Sequence, residues 1–449
     1  MTTEKTPSSG VDLLEKFGII ELDEQQQQAV ALGVDKTNRI VAITGPAGTG
    51  KTTIMRHIFQ LLTENGYSCS ASTPTGKAAK RVFEATGIRA VTNHMLLEFT
   101  HPGDPDPETG LPTRESKPRR TIANPLDVDV LLVDEYMMVK EEMHRDLISA
   151  MKRGARLIVF GDVHQLPPIE DGIKTNTPYE APFEKLVNSK TFVSIHLNKN
   201  HRQLEGSGIA ENALRILKKQ IPLKKPDFDV IITHNLLGAL EKCTITHKER
   251  GYDYSTTDCQ VIAPQGKRSA FGTHAVNPHM QQMYELEIDA DSVYLPRNKW
   301  EEKREVIVRA GSKVIQTKND YTLGVFNGET GTVTVLDAET GTITVDFGDR
   351  FVEFPPQVEY STPDRLIDGS YKQGWYDPRK TLDLAYAITT HKAQGSEYKS
   401  VIYLMHKSMS WMQTQANLYT AVTRAREYCT IITDQVALAQ AVRRIDNGR

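Results

Sequence analysis

The sequence RIVAITGPAGTGKTT, residues 39–53, gives the clearest indication of how the chain folds. Its apolar start predicts a buried strand over 39–43, and a helix is predicted to begin just after the last glycine. Gly45, Gly48 and Gly50 allow backbone N–H groups to point inwards around an anion, at the positive end of the helix dipole. The spacing G-x-x-x-x-G-K-T is typical of a phosphate-binding loop. The sequence therefore predicts a domain that binds a nucleoside triphosphate.

The side chains of this loop have expected tasks. The Lys51 ammonium is expected to contact the outer phosphates, and the Thr52 hydroxyl is expected to bind Mg²⁺. A nucleoside triphosphate and Mg²⁺ are therefore predicted to bind together, and the family resemblance described below implies that the nucleotide is ATP. The residues expected to contact the nucleotide are Gly45, Pro46, Ala47, Gly48, Thr49, Gly50, Lys51, Thr52 and Thr53.

Composition favours a globular protein and excludes one that spans a membrane. Of the 449 residues, 39% are hydrophobic and 25% are charged, as is usual for globular domains with proper cores. The net charge of −3 gives no overall basic character, so any contact with nucleic acid must come from a local groove. The four cysteines form no C-x-x-C pair, which favours buried free thiols over metal ligands. No apolar stretch approaches the roughly 18 residues of a membrane span, and we expect a cytoplasmic protein.

Acidic and polar residues follow two further apolar runs. Asp134 and Glu135 come directly after a predicted strand over 129–133, and Gln165 follows a predicted strand over 157–161. We expect Asp134 to hold Mg²⁺ and Glu135 to polarise the water that attacks the γ-phosphate. Gln165 is expected to contact the γ-phosphate or to orient that water.

The segment ahead of the loop contains four consecutive glutamines, residues 25–28. They fit an ordinary polar helix face. However, an amide offers both a donor and an acceptor, and Gln26 precedes a nucleotide loop, which favours a contact with the adenine edge.

Two more stretches are candidates for contact with nucleic acid. TPTGKAA, residues 73–79, follows a predicted strand and opens a predicted helix over 76–86. Its hydroxyl groups and backbone amides suit phosphodiester oxygens, but an ordinary helix cap explains them equally well. Residues 98–125 contain six prolines and a basic end. They predict either a loose surface loop or a small protrusion beside the nucleic acid.

A second α/β region is predicted after the first. Residues 221–258 are expected to form a connection or a small helical insert, and a new parallel-sheet pattern begins at 260–264. From about 311 to 360, short alternating runs separated by turn residues predict a small barrel of four to six strands. The parallel pattern is predicted to resume with a strand over 384–388.

Two arginines are candidate anion-binding residues. Arg424 lies in a predicted helix over 417–427, late in the second α/β region. Such an arginine can complete the nucleotide site of a first domain and neutralise charge in the transition state. Arg202 is either a second anion-binding arginine or an ordinary solvated side chain.

Seven stretches of the sequence occur in the order that one protein family shows: GPAGTGKTT, TPTGKAAK, LLVDEYMM, GDVHQLPP, LNKNHRQ, AYAITTHKAQGSE and LYTAVTRARE. The chain resembles the superfamily-one DNA helicases of the RecD/Dda type, and it looks most like the Dda helicases of bacteriophages. The resemblance covers residues 22–430. It implies an α/β fold of two RecA-like P-loop NTPase cores, with a small pin insertion and an SH3-like β-barrel insertion.

The resemblance also implies roles for individual residues and bounds for the domains. The implied catalytic residues are Lys51, Glu135, Gln165, Arg202 and Arg424, the metal ligands are Thr52 and Asp134, and the base and ribose contacts are Gln26 and Glu397. The implied strand-binding groove contains Pro74, Thr75, His94, Phe99, Thr390 and His391. The implied domains are a tail (1–20), a first core (21–97 and 126–220), a pin or wedge (98–125), a second core (221–320 and 361–449) and a barrel (321–360). Tyr136 departs from the family, which often has a small residue there, and we expect altered packing without loss of catalysis.

The resulting hypothesis is an ATP-dependent DNA helicase that moves 5′ to 3′ on single strands and opens duplexes in phage or bacterial replication, recombination or repair. Single-stranded and tailed duplex DNA are the predicted partners, with single-strand-binding or replisome proteins as candidates, and a monomer without membrane attachment is expected. One alternative is a DNA-stimulated ATPase translocase that remodels protein–DNA complexes without processive unwinding. Another is a nucleotide-dependent switch or scaffold. The choice between DNA and RNA stays open at this stage.

Overall fold

The computed structural model describes ten ranges of the chain. They are residues 22–100, 116–169, 180–201, 206–267, 269–285, 292–296, 306–320, 322–337, 339–365 and 371–445, without the side chains of 285 and 360–373. The predicted tail over 1–20 and Arg202 lie outside the described residues. The described residues form two compact units, 22–201 and 206–445. None of their helices is long and apolar enough to span a membrane.

The first unit is built on a six-stranded parallel sheet with the order β3–β2–β4–β5–β1–β6. Its strands are β1 (Ile40–Thr44), β2 (Cys69–Thr73), β3 (Ala90–Thr92), β4 (Val130–Val133), β5 (Arg156–Gly161) and β6 (Val193–His196). Its helices are α1 (Glu24–Val34), α2 (Lys51–Glu64), α3 (Gly76–Thr86), α4 (Asn93–Leu96), α5 (Glu141–Ala150) and α6 (Pro182–Val187).

Helices cover both faces of this sheet, so its central strands are apolar on both sides. Val41 and Ile43 of β1 pack into one core with Ile54 of α2, whereas Ala42 between them packs into a second core with Leu147 of α5. Such double coverage is the usual environment of a parallel sheet. Polar side chains can therefore reach solvent or a ligand only from the strand ends.

The strand order brings three of these ends together. β4, β5 and β1 are consecutive in the sheet and run in the same direction. Thr44 at the end of β1 pairs with Gly161 at the end of β5, and Val133 at the end of β4 pairs with Val159. The loops that follow these strands therefore lie side by side at one edge, where open α/β sheets bind ligands.

The second unit contains a five-stranded parallel sheet, a five-stranded antiparallel sheet and two hairpins in its described part. The parallel sheet has the order β18–β8–β19–β20–β7, and the antiparallel sheet has the order β14–β13–β12–β11–β17. The strands are β7 (Phe228–Ile232), β8 (Cys259–Ala263), β9 (Ser292–Tyr294), β10 (Ile307–Arg309), β11 (Lys313–Gln316), β12 (Thr330–Leu336), β13 (Ile343–Asp346), β14 (Phe351–Phe354), β15 (Val358–Arg365), β16 (Tyr371–Tyr376), β17 (Leu382–Leu384), β18 (Ala387–Thr389), β19 (Tyr398–Met405) and β20 (Ala425–Thr433). The helices are α7 (Gly208–Leu217), α8 (Leu236–Glu249), α9 (Thr273–Glu285), α10 (Thr390–Ala393), α11 (Gln415–Val422) and α12 (Gln435–Arg443).

The second unit begins earlier in the chain than we expected. The first core was predicted to extend to residue 220, but α7 belongs to the second unit, because Ile209 and Ile216 share a buried core with Leu418 of α11. The prediction of a connection or small insert over 221–258 was also wrong. β7 is the edge strand of the second parallel sheet, and the 14-residue helix α8 packs against β20.

The predicted single strand over 384–388 is two strands in different sheets. β17 pairs with β11 in the antiparallel sheet, whereas β18 pairs with β8 in the parallel sheet. The chain crosses between them at Ala385 and Tyr386, whose carbonyl groups accept hydrogen bonds from Gln260 Nε2 at 2.9 and 3.0 Å. The antiparallel sheet accordingly begins at Lys313 and includes β17, so it extends beyond the predicted range of 321–360.

The predicted helix over 417–427 is also shorter than expected. α11 ends at Val422, and β20 already begins at Ala425, which pairs with Tyr398. The Thr423 hydroxyl donates to the carbonyl oxygens of Tyr419 and Thr420, which satisfies the end of the helix. Arg424 therefore lies in a tight turn between a helix and a strand.

The crossing at residues 385–386 provides a test of the fold. Gln260→Leu removes the donor from three buried carbonyl groups, those of Val261, Ala385 and Tyr386, so we expect the free energy of unfolding to fall by about 1–3 kcal/mol. Urea titration followed by circular dichroism measures the change. The control is Gln220→Leu, which alters an exposed glutamine of the same unit. Equal stability of the two variants would show that the Gln260 amide does not support the crossing.

Candidate nucleotide-binding site

The phosphate loop connects β1 to α2 through left-handed backbone. Gly48 and Gly50 have φ values of +86° and +81°, a conformation that glycine adopts without strain. A Cβ atom at Gly50 would overlap the Gln26 amide, and one at Gly45 would lie 2.7 Å from the Leu197 carbonyl oxygen. These glycines are therefore required both for the turn and for close packing beneath it.

Lys51 is the first residue of α2, and its ammonium group folds back over the loop. Nζ donates to the carbonyl oxygens of Gly45 at 2.6 Å and Pro46 at 2.9 Å. Burial lowers the pKa of Lys51, and the carboxylates of Asp162 and Glu135 oppose this shift. The positively charged Lys51 side chain thus lies where the loop, the acid pair and the end of β5 meet, as the binding of a triphosphate requires.

The acid pair stands at the end of β4. Asp134 is 9% exposed, and burial together with the Glu135 charge raises its pKa to about 6. Its Oδ1 accepts a hydrogen bond from the Glu135 N–H at 2.9 Å. Glu135 has a φ of +53°, which is unusual for a residue other than glycine and is a form of strain found at functional sites.

Tyr136 fills a buried position beneath this turn. Its side chain is fully buried, the hydroxyl hydrogen-bonds His144 Nδ1 at 2.8 Å, and the ring packs on Phe183. The large residue that departs from the family pattern therefore anchors the turn that carries the acid pair.

Gln165 follows β5 and lies at the same edge of the sheet as the acid pair. Its Nε2 donates to Asp162 Oδ2 at 3.3 Å, and its N–H donates to the Asp162 carbonyl at 3.1 Å. Within the described part of the chain, no hydrogen-bond partner reaches the buried Gln165 Oε1. A buried acceptor of this kind fits the predicted task of orienting a water molecule.

Gln26 lies beneath the phosphate loop, where its amide already has protein partners. Nε2 donates to the Thr49 carbonyl at 3.2 Å, and Oε1 accepts from the Asp23 N–H at 3.1 Å. Asp23 in turn caps α1 and accepts from the Gln26 N–H at 2.9 Å. The side chain supports the loop in this structure, and its predicted contact with adenine stays a prediction.

Several hydrogen bonds that support the phosphate loop were not predicted from the sequence. His201 donates its backbone N–H to the Gly48 carbonyl at 2.8 Å, and its ring Nε2 lies 2.6 Å from Asp23 Oδ2. Asn200 Nδ2 donates to the Ala47 carbonyl at 3.2 Å. Partial burial favours a raised pKa for Asp23, but the bonds from Gln26 and His201 outweigh it and lower the value. The D-x-x-Q capping pattern was the available signal for Asp23.

The predicted groove residues of the first unit lie near the ends of β2 and β3. Thr75 is the N-cap of α3, and its Oγ1 accepts from the Ala78 N–H at 3.3 Å. Accepting this bond leaves the hydroxyl hydrogen able to donate, so the cap and a phosphate contact are compatible. Pro74 precedes it and is half-buried. His94 and Phe99 are ring partners with centroids 4.8 Å apart.

The base of the insertion is closed, although its tip over 101–115 lies outside the described residues. Thr100 donates its N–H to the Lys117 carbonyl at 2.8 Å, and the N–H groups of Arg119 and Arg120 both donate to the Leu97 carbonyl at 3.1 Å. Arg120 also pairs with Glu98 at 2.6 Å. The two ends of the insertion are therefore held side by side.

The predicted site residues of the second unit are mostly engaged within that unit. The Thr390 side chain is fully buried and donates to Asn417 Oδ1 at 2.6 Å, so a contact with nucleic acid would have to come from its backbone. His391 and Glu397 are half-buried, in α10 and in the loop before β19.

Arg424 is 2% exposed, and its guanidinium closes the turn after α11. It donates to the carbonyl oxygens of Thr420 at 3.1 Å and Ser396 at 3.2 Å, and to the Thr423 hydroxyl at 3.4 Å. Its role in a transition state stays a prediction.

The residues at the edge of the first sheet fit Mg²⁺ held together with a triphosphate. In the described part of the chain, no group of three or more His, Cys, Asp or Glu side chains is arranged to hold a metal ion alone. Mg²⁺ usually takes one or two protein ligands and completes its shell with phosphate oxygens and water. Asp134 and Thr52 would be those ligands, and the buried carboxylate with its raised pKa would gain from a cation.

The fold and this site define a P-loop NTPase domain followed by a second parallel α/β unit. Family models match three parts of the chain in order: an AAA domain at residues 26–171, an ATP-dependent RecD-like DNA helicase SH3 domain at 291–347 and a UvrD-like helicase C-terminal domain at 384–432. In this order of domains the chain is similar to the superfamily-one helicases of the RecD-like type. The matches do not single out the Dda helicases, so that closer resemblance stays a prediction.

Two curated relatives illustrate the similarity. The chain is 29% identical over 405 residues to the ATP-dependent RecD2 DNA helicase of Deinococcus radiodurans, covering 90% of this chain and 48% of the relative. It is 26% identical over 483 residues to the RecBCD enzyme subunit RecD of Mycobacterium tuberculosis, covering 99% of this chain and 74% of the relative. The chain thus spans about half the length of the RecD2 helicase.

Two solved structures share the fold. A Pif1 helicase from Bacteroides, crystallised with ADP-AlF3 and single-stranded DNA, has a TM-score of 0.58 at 24% identity and covers 94% of both chains. The Pif1 helicase of Candida albicans has a TM-score of 0.52 at 17% identity and covers 92% of this chain and 94% of its own. At these identities the likeness shows the fold alone, with two RecA-like cores and an SH3-like domain.

The raised pKa of Asp134 predicts how stability depends on pH. The pKa of Asp134 is about 6 in the folded state, against an ordinary 3.8. Between pH 3.8 and about pH 6 the folded state therefore binds more protons than the unfolded state. The free energy of unfolding consequently falls as the pH rises through this range. Asp134→Asn removes this cost, and the metal-free variant should melt roughly 2–4 °C above the unsubstituted protein near neutral pH.

Thermal melts across the pH range measure this difference, which should vanish below the ordinary pKa. Glu142→Gln, an exposed acid of α5, is the control. A melting temperature of Asp134→Asn at or below that of the unsubstituted protein would contradict the raised pKa.

Proposed function

We propose that this protein is an ATP-dependent DNA helicase that translocates 5′ to 3′ on single-stranded DNA and unwinds duplex DNA. The observation that carries the proposal is the intact phosphate loop and acid pair at one sheet edge, in a chain similar to the RecD-like helicases. The relative named the ATP-dependent RecD2 DNA helicase supports helicase activity on DNA, and the Pif1 structure shares the fold.

The chemistry assigned to the site is hydrolysis of the γ-phosphate. Glu135 takes a proton from water as the water oxygen bonds to the γ-phosphorus, and Gln165 orients that water. The bond from the γ-phosphorus to the β–γ bridging oxygen breaks, and ADP leaves with the electron pair. We assign stabilisation of the negative charge that develops on the phosphate oxygens to Lys51, Arg202 and Arg424. Such electrostatic stabilisation is usually the largest catalytic contribution in phosphoryl transfer. Mg²⁺, when bound by Asp134 and Thr52, would neutralise charge on the phosphate oxygens.

Hydrolysis must be linked to a change in affinity for the strand if it is to produce movement. We assign strand contacts to Pro74, Thr75, His94 and Phe99 in the first unit and to the segment around Thr390 and His391 in the second. If nucleotide binding and release change how these two sets grip the strand, each cycle advances the protein. A base-pair step is stabilised by roughly 1–2 kcal/mol, so one ATP covers at least one step.

We further propose that the protein acts in the cytoplasm as a monomer, in replication, recombination or repair. Single-strand-binding or replisome proteins are the proposed partners besides DNA. DNA is favoured over RNA because the RecD2 relative and the matched SH3 domain model are both named for DNA helicases.

Directional unwinding is the first test of the proposal. Labelled duplexes with a 5′ or a 3′ single-stranded tail, made of DNA or RNA, are mixed with the protein and ATP. We expect strand release from the 5′-tailed DNA duplex, while Lys51→Ala abolishes both hydrolysis and release. Glu135→Gln should still bind ATP but stop turnover. Preferential opening of the 3′-tailed duplex would overturn the polarity, and preferential opening of RNA would overturn the substrate.

The insertion distinguishes a helicase from a translocase that does not unwind. Because Thr100 and Lys117 are hydrogen-bonded at its base, residues 101–115 can be replaced by Gly-Gly without stretching the chain. We expect unwinding to fall by about tenfold or more, while ATPase stimulation by single strands stays within about twofold.

The control for this deletion replaces the same residues with a flexible Gly-Ser segment of equal length. It should behave like the deletion if a defined wedge separates the strands. Unwinding that survives in both variants would remove the wedge role from the insertion, and loss of ATPase together with unwinding would show that the insertion supports the fold instead.

A further inference from the structure

An ion pair connects the acid pair to a helix that begins in the predicted strand-binding groove. Arg81 Nη1 of α3 lies 4.0 Å from Oε1 of Glu135, with 34% and 15% of the respective side chains exposed. Arg81 makes other interactions as well, so Glu135 is one of several partners. The contact with Glu135 is of functional interest because Glu135 is the residue assigned to activate water.

The helix α3 provides a short and stiff link between this contact and the groove. Arg81 lies six residues after the N-cap Thr75, which corresponds to about 9 Å along the helix axis. Ala78, Ala79 and Val82 of the same helix are buried, so α3 is packed as one body. A phosphate bound at its first turn therefore acts on Arg81 through a single rigid element.

The backbone on the Glu135 side of this ion pair is held by hydrogen bonds of its own. The turn that carries Glu135 is fixed by the Met138 N–H, which donates to the Glu135 carbonyl at 3.0 Å, and by the bond between Tyr136 and His144. Arg81 reaches Glu135 at the outer limit of ion pairing. A small movement of α3 is therefore enough to separate the charges, while Glu135 keeps its backbone position.

We propose that Arg81 is a positioning residue that restrains the Glu135 carboxylate until single-stranded DNA binds at the amino end of α3. Binding of strand phosphates at Thr75 and Lys77 moves the helix, separates Arg81 from Glu135 and frees the carboxylate to face the attacking water. This inference rests on the proposed function, and it adds a route by which the strand stimulates hydrolysis.

The expected effect is modest because the pair is partly exposed. Ion pairs of this kind change equilibria by about two- to fivefold. Arg81→Ala should therefore raise the DNA-independent kcat for ATP by about two- to fivefold, and it should leave the kcat at saturating oligo(dT) within about twofold. The stimulation ratio then falls. Arg81→Lys retains a charge but fewer donors, so its DNA-independent rate should lie between those of the alanine variant and the unsubstituted protein.

The experiment measures kcat and KM for ATP with and without oligo(dT), together with the dissociation constant of a fluorescent non-hydrolysable ATP analogue. The control is Arg89→Ala, which removes an exposed arginine just beyond the same helix and should change neither rate. The affinity for the analogue should be the same in all variants, because the restraint acts on Glu135 and not on nucleotide binding.

The outcomes separate this inference from the proposed function. If oligo(dT) fails to stimulate the unsubstituted protein, the proposed function fails. If stimulation is normal but the Arg81→Ala ratio equals that of Arg89→Ala, the restraint does not exist. A DNA-independent kcat that falls in Arg81→Ala would show that Arg81 supports catalysis, which also overturns the proposal.

Discussion

The order of three parallel strands is the constraint on which the rest of the structure depends. Because β4, β5 and β1 are neighbours and are covered on both faces, their polar residues are confined to one edge of the sheet. There the Lys51 ammonium stands among the carboxylates of Asp162, Glu135 and Asp134. Each of these charges is partly withdrawn from water, so each depends on the others or on a ligand for compensation. An arrangement of this kind favours the binding of an anion together with a cation, as a triphosphate with Mg²⁺ would supply.

Local patterns predicted the parts of the fold that local forces determine. The helix over 76–86 has the predicted bounds, since Thr75 caps its start and Gly87 ends it in a left-handed conformation. The positions of the acid pair and of the phosphate loop followed equally from apolar runs that end in polar residues. In these segments the sequence, the hydrogen bonds of the caps and the burial of the strands all favour the same structure.

Other parts could not be predicted because distant residues determine them. The strand expected over 384–388 is divided because Gln260, more than 120 residues earlier, satisfies the carbonyl groups at the crossing. The support of the phosphate loop by Gln26 and His201 likewise joins segments far apart in sequence. Arg424 presents a different difficulty. The motif predicts a contact with phosphate, whereas the structure shows the guanidinium bonded to groups of its own unit. A catalytic role therefore requires the guanidinium to exchange those bonds for bonds to phosphate oxygens.

Hydrolysis at this sheet edge is proposed to drive movement along a single strand. Stopped-flow fluorescence on oligo(dT) of increasing length, labelled at either the 3′ or the 5′ end, tests it most directly. We expect ATP to produce a 3′-end signal whose delay grows in proportion to strand length, and a 5′-end signal without such a delay. ATP hydrolysis stimulated by the strand without any length-dependent delay at either end would contradict it.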